Sequence, residues 1–173
     1  RIAKAVSKAR VGEITEQLTD IPSPTGGEAE VSDFLAKEFE RIGLEVSVQE
    51  VEAGRNNVIA RLRGKGRGRG RNLMFNAHFD TSATDADRIP GQQSRAVRQG
   101  DWIYGLGASN MKNAFAGYIG AVEALMETGA DLSGDILITG VVGEIEKAPV
   151  SHYQGIGYRG GGSGARFLMA HGC

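Results

Sequence analysis

The sequence Asn72-Leu73-Met74-Phe75-Asn76-Ala77-His78-Phe79-Asp80 is a short, nearly continuous apolar run that ends on two polar side chains. A run of this length and composition is typical of a strand that is buried on both faces of a sheet. A second, largely apolar run extends from Ile136 to Val142. We therefore predict two central strands, each of which ends beside polar residues.

Helices are predicted around these strands. Four segments carry apolar residues at helical spacing, namely residues 2–18, 31–42, 111–126 and 165–170. Thr25 and Glu28 have the spacing of a capping box and predict the start of the second helix. Two further strands are expected at residues 44–49 and 58–62. Helices that alternate with strands indicate a single α/β domain with one core.

The composition excludes several classes of protein. The 173 residues carry 20 basic and 21 acidic side chains, which argues against nucleic acid or an anionic membrane as the main partner. No apolar run approaches the ~18 residues that a membrane-spanning helix needs. The lone cysteine, Cys173, excludes an internal disulfide and a cysteine-built zinc site. No targeting pattern is visible, so a cytoplasmic location is expected.

Two glycine-rich segments admit a functional interpretation. The alternating Gly, Lys and Arg residues of segment 64–71 could bind phosphate or nucleic acid, or form a solvated hairpin loop. The loop is favoured because no strand-to-helix junction follows and no aromatic residues are interleaved. Gly105-Leu106-Gly107 lacks the third glycine of a dinucleotide-binding turn. Neither segment therefore predicts a nucleotide site.

The polar residues at the strand ends are the candidates for chemistry, since ligands of α/β sheets bind there. His78 and Asp80 are two residues apart and share a face, which suits a metal-binding imidazole and a carboxylate that orients it. The alternative is a histidine satisfied at a strand end beside a solvated aspartate. Glu144 leaves the second strand as a candidate general base or a solvated loop residue. Asn110 could cap the long helix.

Several segments together resemble a known family, the zinc-dependent amidohydrolases and metallopeptidases that include acetylornithine deacetylase, succinyl-diaminopimelate desuccinylase, aminoacylase and glutamate carboxypeptidase. The matching segments are residues 18–28, 54–60, 78–80 and 105–112, in this order. The resemblance implies a mixed, largely parallel sheet with helices on both faces, as in zinc aminopeptidases. It also implies that residues 1–173 form the N-terminal portion of the catalytic domain. A lid or dimerisation domain, needed for any homodimer, and the rest of the catalytic domain would follow.

The resemblance also implies an activity, the hydrolysis of amide bonds in N-acyl amino acids or small peptides. Relatives of this kind use two metal ions, usually zinc, which are bridged by an aspartate and a water or hydroxide. A site built from histidine and carboxylates also admits cobalt or manganese. By position, His78 resembles a metal ligand, Asp80 the catalytic carboxylate beside it and Glu144 the glutamate base.

Two residues depart from the family pattern. Asn110 stands where the bridging aspartate is expected, and Ile145 stands where a ligand glutamate would follow the base. Glu146 would replace that ligand if the loop shifts by one residue. The remaining ligands would lie beyond Cys173, so we predict that residues 1–173 alone are inactive. The alternative is a non-catalytic relative with a degenerate metal site that acts as a binding or assembly module.

Overall fold

The structure, a computed structural model, describes residues 2–66, 70–82, 95–145 and 160–173. Its main sheet contains four strands in the order β1-β2-β6-β3. Two short strands, β4 and β5, form a separate antiparallel pair. The bounds are β1 Glu45–Glu52, β2 Arg55–Leu62, β3 Leu73–His78, β4 Val97–Gln99, β5 Trp102–Tyr104 and β6 Ile136–Val141.

The prediction of a mixed α/β sheet is confirmed, but the described strands are not largely parallel. Of the three pairings in the main sheet, β1 with β2 and β2 with β6 are antiparallel, and β3 with β6 is parallel. The hairpin between β1 and β2 contains only Ala53 and Gly54, which is far too short for the crossover that parallel strands require. Gly54 has a φ of 73°, a left-handed backbone conformation that glycine adopts readily in a tight turn.

The prediction of two central strands holds for β6 and is wrong for β3 among the described strands. β6 lies between β2 and β3, and all six of its residues are buried. β3 lies at the end of the described strand order, and Leu73 and Met74 remain 50% and 42% exposed. An apolar run indicates which residues tolerate burial, but it does not tell how many neighbours the strand acquires.

Five helices surround the sheet in the described residues: α1 Ile2–Ala5, α2 Lys8–Asp20, α3 Ala29–Arg41, α4 Lys112–Glu127 and α5 Ser163–His171. The helix predicted over residues 2–18 is interrupted at Ser7, whose hydroxyl caps α2 by accepting a hydrogen bond from the Arg10 N–H at 3.2 Å. The predicted capping box is absent, because Thr25 and Glu28 bond elsewhere and α3 has no side-chain cap. None of these helices is long and apolar enough to cross a membrane.

The helices cover both faces of the sheet, as predicted. One face packs against α2, α3 and α4 and includes Val58, Ala60 and Ile138. The other face includes Ile59 and packs against α5 through Leu168. Consecutive residues of β2 therefore point into different cores, as the two-residue period of a strand requires.

The segment between β2 and β3 is not a hairpin loop, because β6 lies between these two strands. The segment crosses the start of β6 instead, and the Lys65 N–H donates to the Leu132 carbonyl at 2.8 Å. A Cβ atom at Gly64 or Gly70 would collide with the backbone of Ser133 or Gly134. These glycines thus permit close backbone contact. Residues 67–69 of this segment lie outside the described residues.

Candidate functional site

The candidate site lies where β3 and β6 end side by side. The two strands are parallel, and His78, the last residue of β3, pairs with Val141, the last residue of β6. The chain continues from β3 to Asp80 and from β6 to Glu144, so both carboxyl groups arise at the same edge of the sheet. Asn110 reaches this edge from the segment that leads into α4.

His78 is in contact with the other three residues. Its Nδ1 atom lies 3.1 Å from the Asp80 carbonyl oxygen and 3.2 Å from Asp80 Oδ1. Its Nε2 atom lies 3.1 Å from Asn110 Oδ1 and 3.5 Å from Glu144 Oε2. The structure therefore brings together four of the five residues that the sequence singled out. The fifth, Glu146, lies outside the described residues and stays a prediction.

Asp80 is fully buried and accepts three hydrogen bonds besides its contact with His78. The donors are Thr25 Oγ1 at 2.6 Å, the Glu144 N–H at 3.0 Å and the Ile145 N–H at 2.9 Å. Burial acts to raise the pKa of Asp80, but His78 and these donors outweigh it and hold the pKa below its ordinary value. Asp80 is therefore a buried carboxylate rather than a solvated loop residue.

The charge state of His78 follows from the same contacts. Burial acts to lower the pKa of the ring, but Asp80, then Asn110 and Glu144, favour the charged form and raise the pKa above its ordinary value. Nδ1 faces oxygen atoms of Asp80, and Nε2 faces oxygen atoms of Asn110 and Glu144, so Nε2 is the ring atom around which further side chains gather and the one that a metal ion could bind. A metal ion at Nε2 would compete with the second proton of the ring.

Asn110 does not cap α4. The helix begins at Lys112 with Met111 at the capping position, and no side chain bonds to its first N–H groups. The Asn110 amide instead faces His78. The interpretation of Asn110 as a cap of the long helix is therefore wrong, and its side chain lies at the candidate site.

The arrangement fits one metal ion. Donor atoms at about 2.0–2.2 Å from a tetrahedral zinc ion lie roughly 3.4 Å from one another. The separation of 3.1 Å from His78 Nε2 to Asn110 Oδ1 is close to this value, and Glu144 Oε2 lies beside the same nitrogen at 3.5 Å. Among the described residues, no group of three or more His, Cys, Asp or Glu side chains is placed to hold a metal ion, so a site at this edge depends on the Asn110 amide oxygen. Ile145 offers no ligand, and its side chain is buried.

Sequence reasoning missed several residues that hold the site. Thr25 was assigned to a helix cap, yet its hydroxyl donates to Asp80, 55 residues away. Glu28 and Arg55 form a buried ion pair, and Glu28 Oε1 also accepts the Gly143 N–H at 3.2 Å. Asn57 is fully buried and accepts the Val142 N–H at 3.2 Å. Besides their polar residue types, which many surface residues share, their only signal in the sequence is that they lie in segments 18–28 and 54–60, which resemble the family.

Lys112 is a further buried residue beside the site. Its ammonium group donates to the backbone carbonyls of Leu18 and Ile21 and so connects the start of α4 to the end of α2. Burial lowers the pKa of Lys112 to about 8. Gly107, with a φ of 82°, leaves room for this side chain, since a Cβ atom would lie 3.1 Å from Lys112 Cδ. The Gly105-Leu106-Gly107 segment thus has a packing role.

The catalytic domains of solved peptidases share the fold of this chain. An aminopeptidase from Bacillus cereus superposes with a TM-score of 0.68 and 26% identity, over 81% of this chain and 38% of that chain. A dinuclear metal-binding peptidase from Bacillus subtilis superposes with a TM-score of 0.55 and 19% identity, over 79% of this chain and 35% of that chain. The latter similarity shows the fold alone.

Residues 74–157, just under half of the chain, match peptidase family M20/M25/M40. The acetylornithine deacetylase of Vibrio campbellii is 36% identical over 104 residues, which are 60% of this chain and 26% of that protein. The matched part of the chain thus spans about a quarter of the length of this relative. The proteins to which the chain is similar include peptidases and acetylornithine deacetylases.

Proposed function

We propose that this chain is the N-terminal portion of the catalytic domain of a metal-dependent hydrolase, which cleaves amide bonds in N-acyl amino acids or small peptides. The observation that carries the proposal is the convergence of Asn110 Oδ1 and Glu144 Oε2 on His78 Nε2, at 3.1 Å and 3.5 Å. The family match and the deacetylase relative support the reaction class.

Each residue has a proposed role. A bound divalent ion would supply the Lewis acid that polarises the scissile carbonyl. His78 would bind this ion through Nε2, and Asp80 would orient the ring through Nδ1. Asn110 would be a neutral ligand, and Glu146 is proposed as a further ligand. The identity of the ion is proposed as zinc, by analogy with the family.

Glu144 is proposed as the general base. Its side chain is 54% exposed, whereas the neighbouring Asp80 is fully buried, so water and substrate can reach Glu144. Its backbone N–H donates to Asp80, which ties the position of the base to that of the carboxylate that orients His78. A base must lie within hydrogen-bond reach of the proton that it takes, and this tie keeps Glu144 close to the proposed ion.

Metal binding by the 173-residue chain is the first test. Equilibrium dialysis against zinc should show one bound ion per chain. His78→Ala should abolish binding, whereas His171→Ala should leave it unchanged, since His171 is exposed at the end of α5. Absence of zinc from the parent chain, or equal binding by both variants, would contradict the proposed site.

Catalysis is tested in the full-length product of the gene. Hydrolysis of a panel of N-acetyl amino acids and dipeptides should be lost on chelation and restored by zinc. Glu144→Gln should lower kcat by at least ~100-fold, as loss of a general base does, with less effect on zinc affinity. Turnover that survives chelation would refute the proposal.

A non-catalytic relative is the second candidate function, and two observations favour it. Asn110 is neutral where the family pattern has an aspartate, and the buried Ile145 replaces a ligand. Asn110→Asp should strengthen binding of a second ion if the other ligands of that ion exist in the full-length protein. No metal-dependent turnover in a folded full-length protein, with no gain from Asn110→Asp, would favour a binding or assembly module.

A further inference from the structure

The loop that carries Glu144 is held by its backbone. Three successive N–H groups, those of Gly143, Glu144 and Ile145, donate to two buried carboxylates. Asp80 accepts two of them, and Glu28 accepts the first at 3.2 Å. Loop N–H groups ordinarily face water. Here three successive N–H groups bond to buried carboxylates instead, so these hydrogen bonds fix the position of the loop.

Glu28 is itself fixed by a two-point ion pair. Its Oε1 and Oε2 atoms accept hydrogen bonds from Arg55 Nη2 at 2.6 Å and Arg55 Nε at 2.8 Å. Both side chains are buried, and Arg55 also bonds to Glu52 at 3.0 Å. A two-point pair of this kind fixes the orientation of the carboxylate as well as its place. The same Oε1 atom also accepts the hydrogen bond from the Gly143 N–H.

The other side of the same peptide segment is also held. The Gly143 carbonyl accepts the N–H groups of Gly162 and Ser163 at 2.8 Å and 3.1 Å, which attaches the start of α5 to the loop. Gly143 has a φ of 64°, so the chain turns sharply here before it reaches Glu144. The direction in which Glu144 leaves this turn determines its distance to His78.

We propose that Glu28 is a positioning residue for Glu144, acting through the Gly143 N–H, and that Arg55 holds the Glu28 carboxylate in the required orientation. The proposal rests on the proposed function in so far as Glu144 belongs to a metal-dependent site. A buried ion pair is a costly way to stabilise a fold, since apolar residues of similar volume often serve as well or better. Stability alone therefore does not explain the pair.

Two double variants separate positioning from stability. Glu28→Gln/Arg55→Met removes the ion pair and keeps a side-chain oxygen for the Gly143 N–H. Glu28→Leu/Arg55→Met removes the ion pair and that oxygen as well. The two variants should have similar stability towards urea, because the first buries a glutamine amide with unpaired N–H groups and the second leaves the Gly143 N–H without an acceptor. The two variants thus differ chiefly in the acceptor.

The first measurement is the rate of amide hydrogen exchange at Gly143, Glu144 and Ile145 in the 173-residue chain without metal. Exchange should be at least ~10-fold faster in the Leu/Met variant than in the Gln/Met variant. In the full-length protein, kcat should fall about 10- to 100-fold in the Leu/Met variant, the usual effect of losing a group that orients a functional residue, and less than about threefold in the Gln/Met variant. Zinc affinity should change little in either variant, because Glu144 is the proposed base and not a ligand. Equal exchange and equal kcat in the two variants would overturn the proposal.

The two proposals fail in different ways. If the parent chain binds no zinc, the proposed function fails, and the exchange rates still test the positioning role. If either double variant does not fold, Arg55→Lys replaces it, since lysine keeps the charge and loses the two-point contact with Glu28. Faster exchange at Gly143 is expected in this variant, and unchanged exchange would overturn the proposal.

Discussion

Replacing Thr25 with valine tests how the buried carboxylate of Asp80 is stabilised. The Thr25 hydroxyl donates to Asp80 Oδ2 at 2.6 Å, and both residues are buried. Valine has nearly the same shape as threonine, so Thr25→Val removes the donor without opening a cavity. Asp80 retains the N–H groups of Glu144 and Ile145 and its contact with His78.

The expected loss follows from the charge of the acceptor. A hydrogen bond to a charged group contributes about 1.5–3 kcal/mol to the free energy of unfolding. Because other donors remain on Asp80, we expect a loss of about 2 kcal/mol for Thr25→Val. Urea denaturation at neutral pH measures this loss as a lower midpoint with an unchanged slope.

Thr19→Val is the matched control. Thr19 is equally buried, but its hydroxyl donates to the uncharged Thr15 carbonyl of the same helix at 2.7 Å. A neutral hydrogen bond contributes about 1 kcal/mol, so the control should lose about half as much as Thr25→Val. Equal losses in the two variants would refute the assignment of the Thr25 effect to the charge of Asp80.

Three further predictions concern packing and pH. Gly164→Ala should destabilise the chain by about 1–3 kcal/mol in urea denaturation, because its Cβ atom would lie 2.5 Å from the Val142 carbonyl oxygen; unchanged stability would contradict this contact. Gly117→Ala should instead stabilise the chain by about 0.5–1 kcal/mol, because Gly117 is exposed within α4 and its Cβ atom would meet nothing; a loss would contradict it. A hydrogen bond from Arg98 lowers the pKa of Glu16, so the stability from this exposed pair should be present at neutral pH and vanish as the pH falls through the lowered pKa. Denaturation of the parent chain and Glu16→Gln between pH 3 and 7 should therefore converge at the acid end, and a constant difference would contradict the linkage.

The elements that the sequence predicted well are those that depend on local periodicity. The apolar stripe of α4 and the buried run of β6 both appear within two residues of their predicted bounds. The contact between His78 and Asp80 was also predictable from the two-residue period of extended chain, although Asp80 follows the last residue of β3. In each case the residues that determine the structure lie close together in the sequence.

The errors arose where one local pattern serves two structures. Thr25 and Glu28 have the spacing of a capping box, yet both side chains bond to residues outside the helix. The apolar run of β3 suits a central strand, yet two of its apolar residues, Leu73 and Met74, are exposed at the end of the described strand order. Local propensity is a weak preference, and contacts between distant segments override it.

The amino-acid sequence thus sufficed for the four strands of the main sheet and for helices α3, α4 and α5, for the α/β class and for the residue types from which a site at the strand ends could be built. The tertiary structure alone determined the partners of those residues: Thr25 with Asp80, Glu28 with Arg55 and Gly143, and Asn110 with His78. The physical reason is the separation along the chain of the residues that interact. Periodicity records which face of an element is buried, whereas a hydrogen bond between residues 27 to 115 positions apart depends on how all the intervening elements pack.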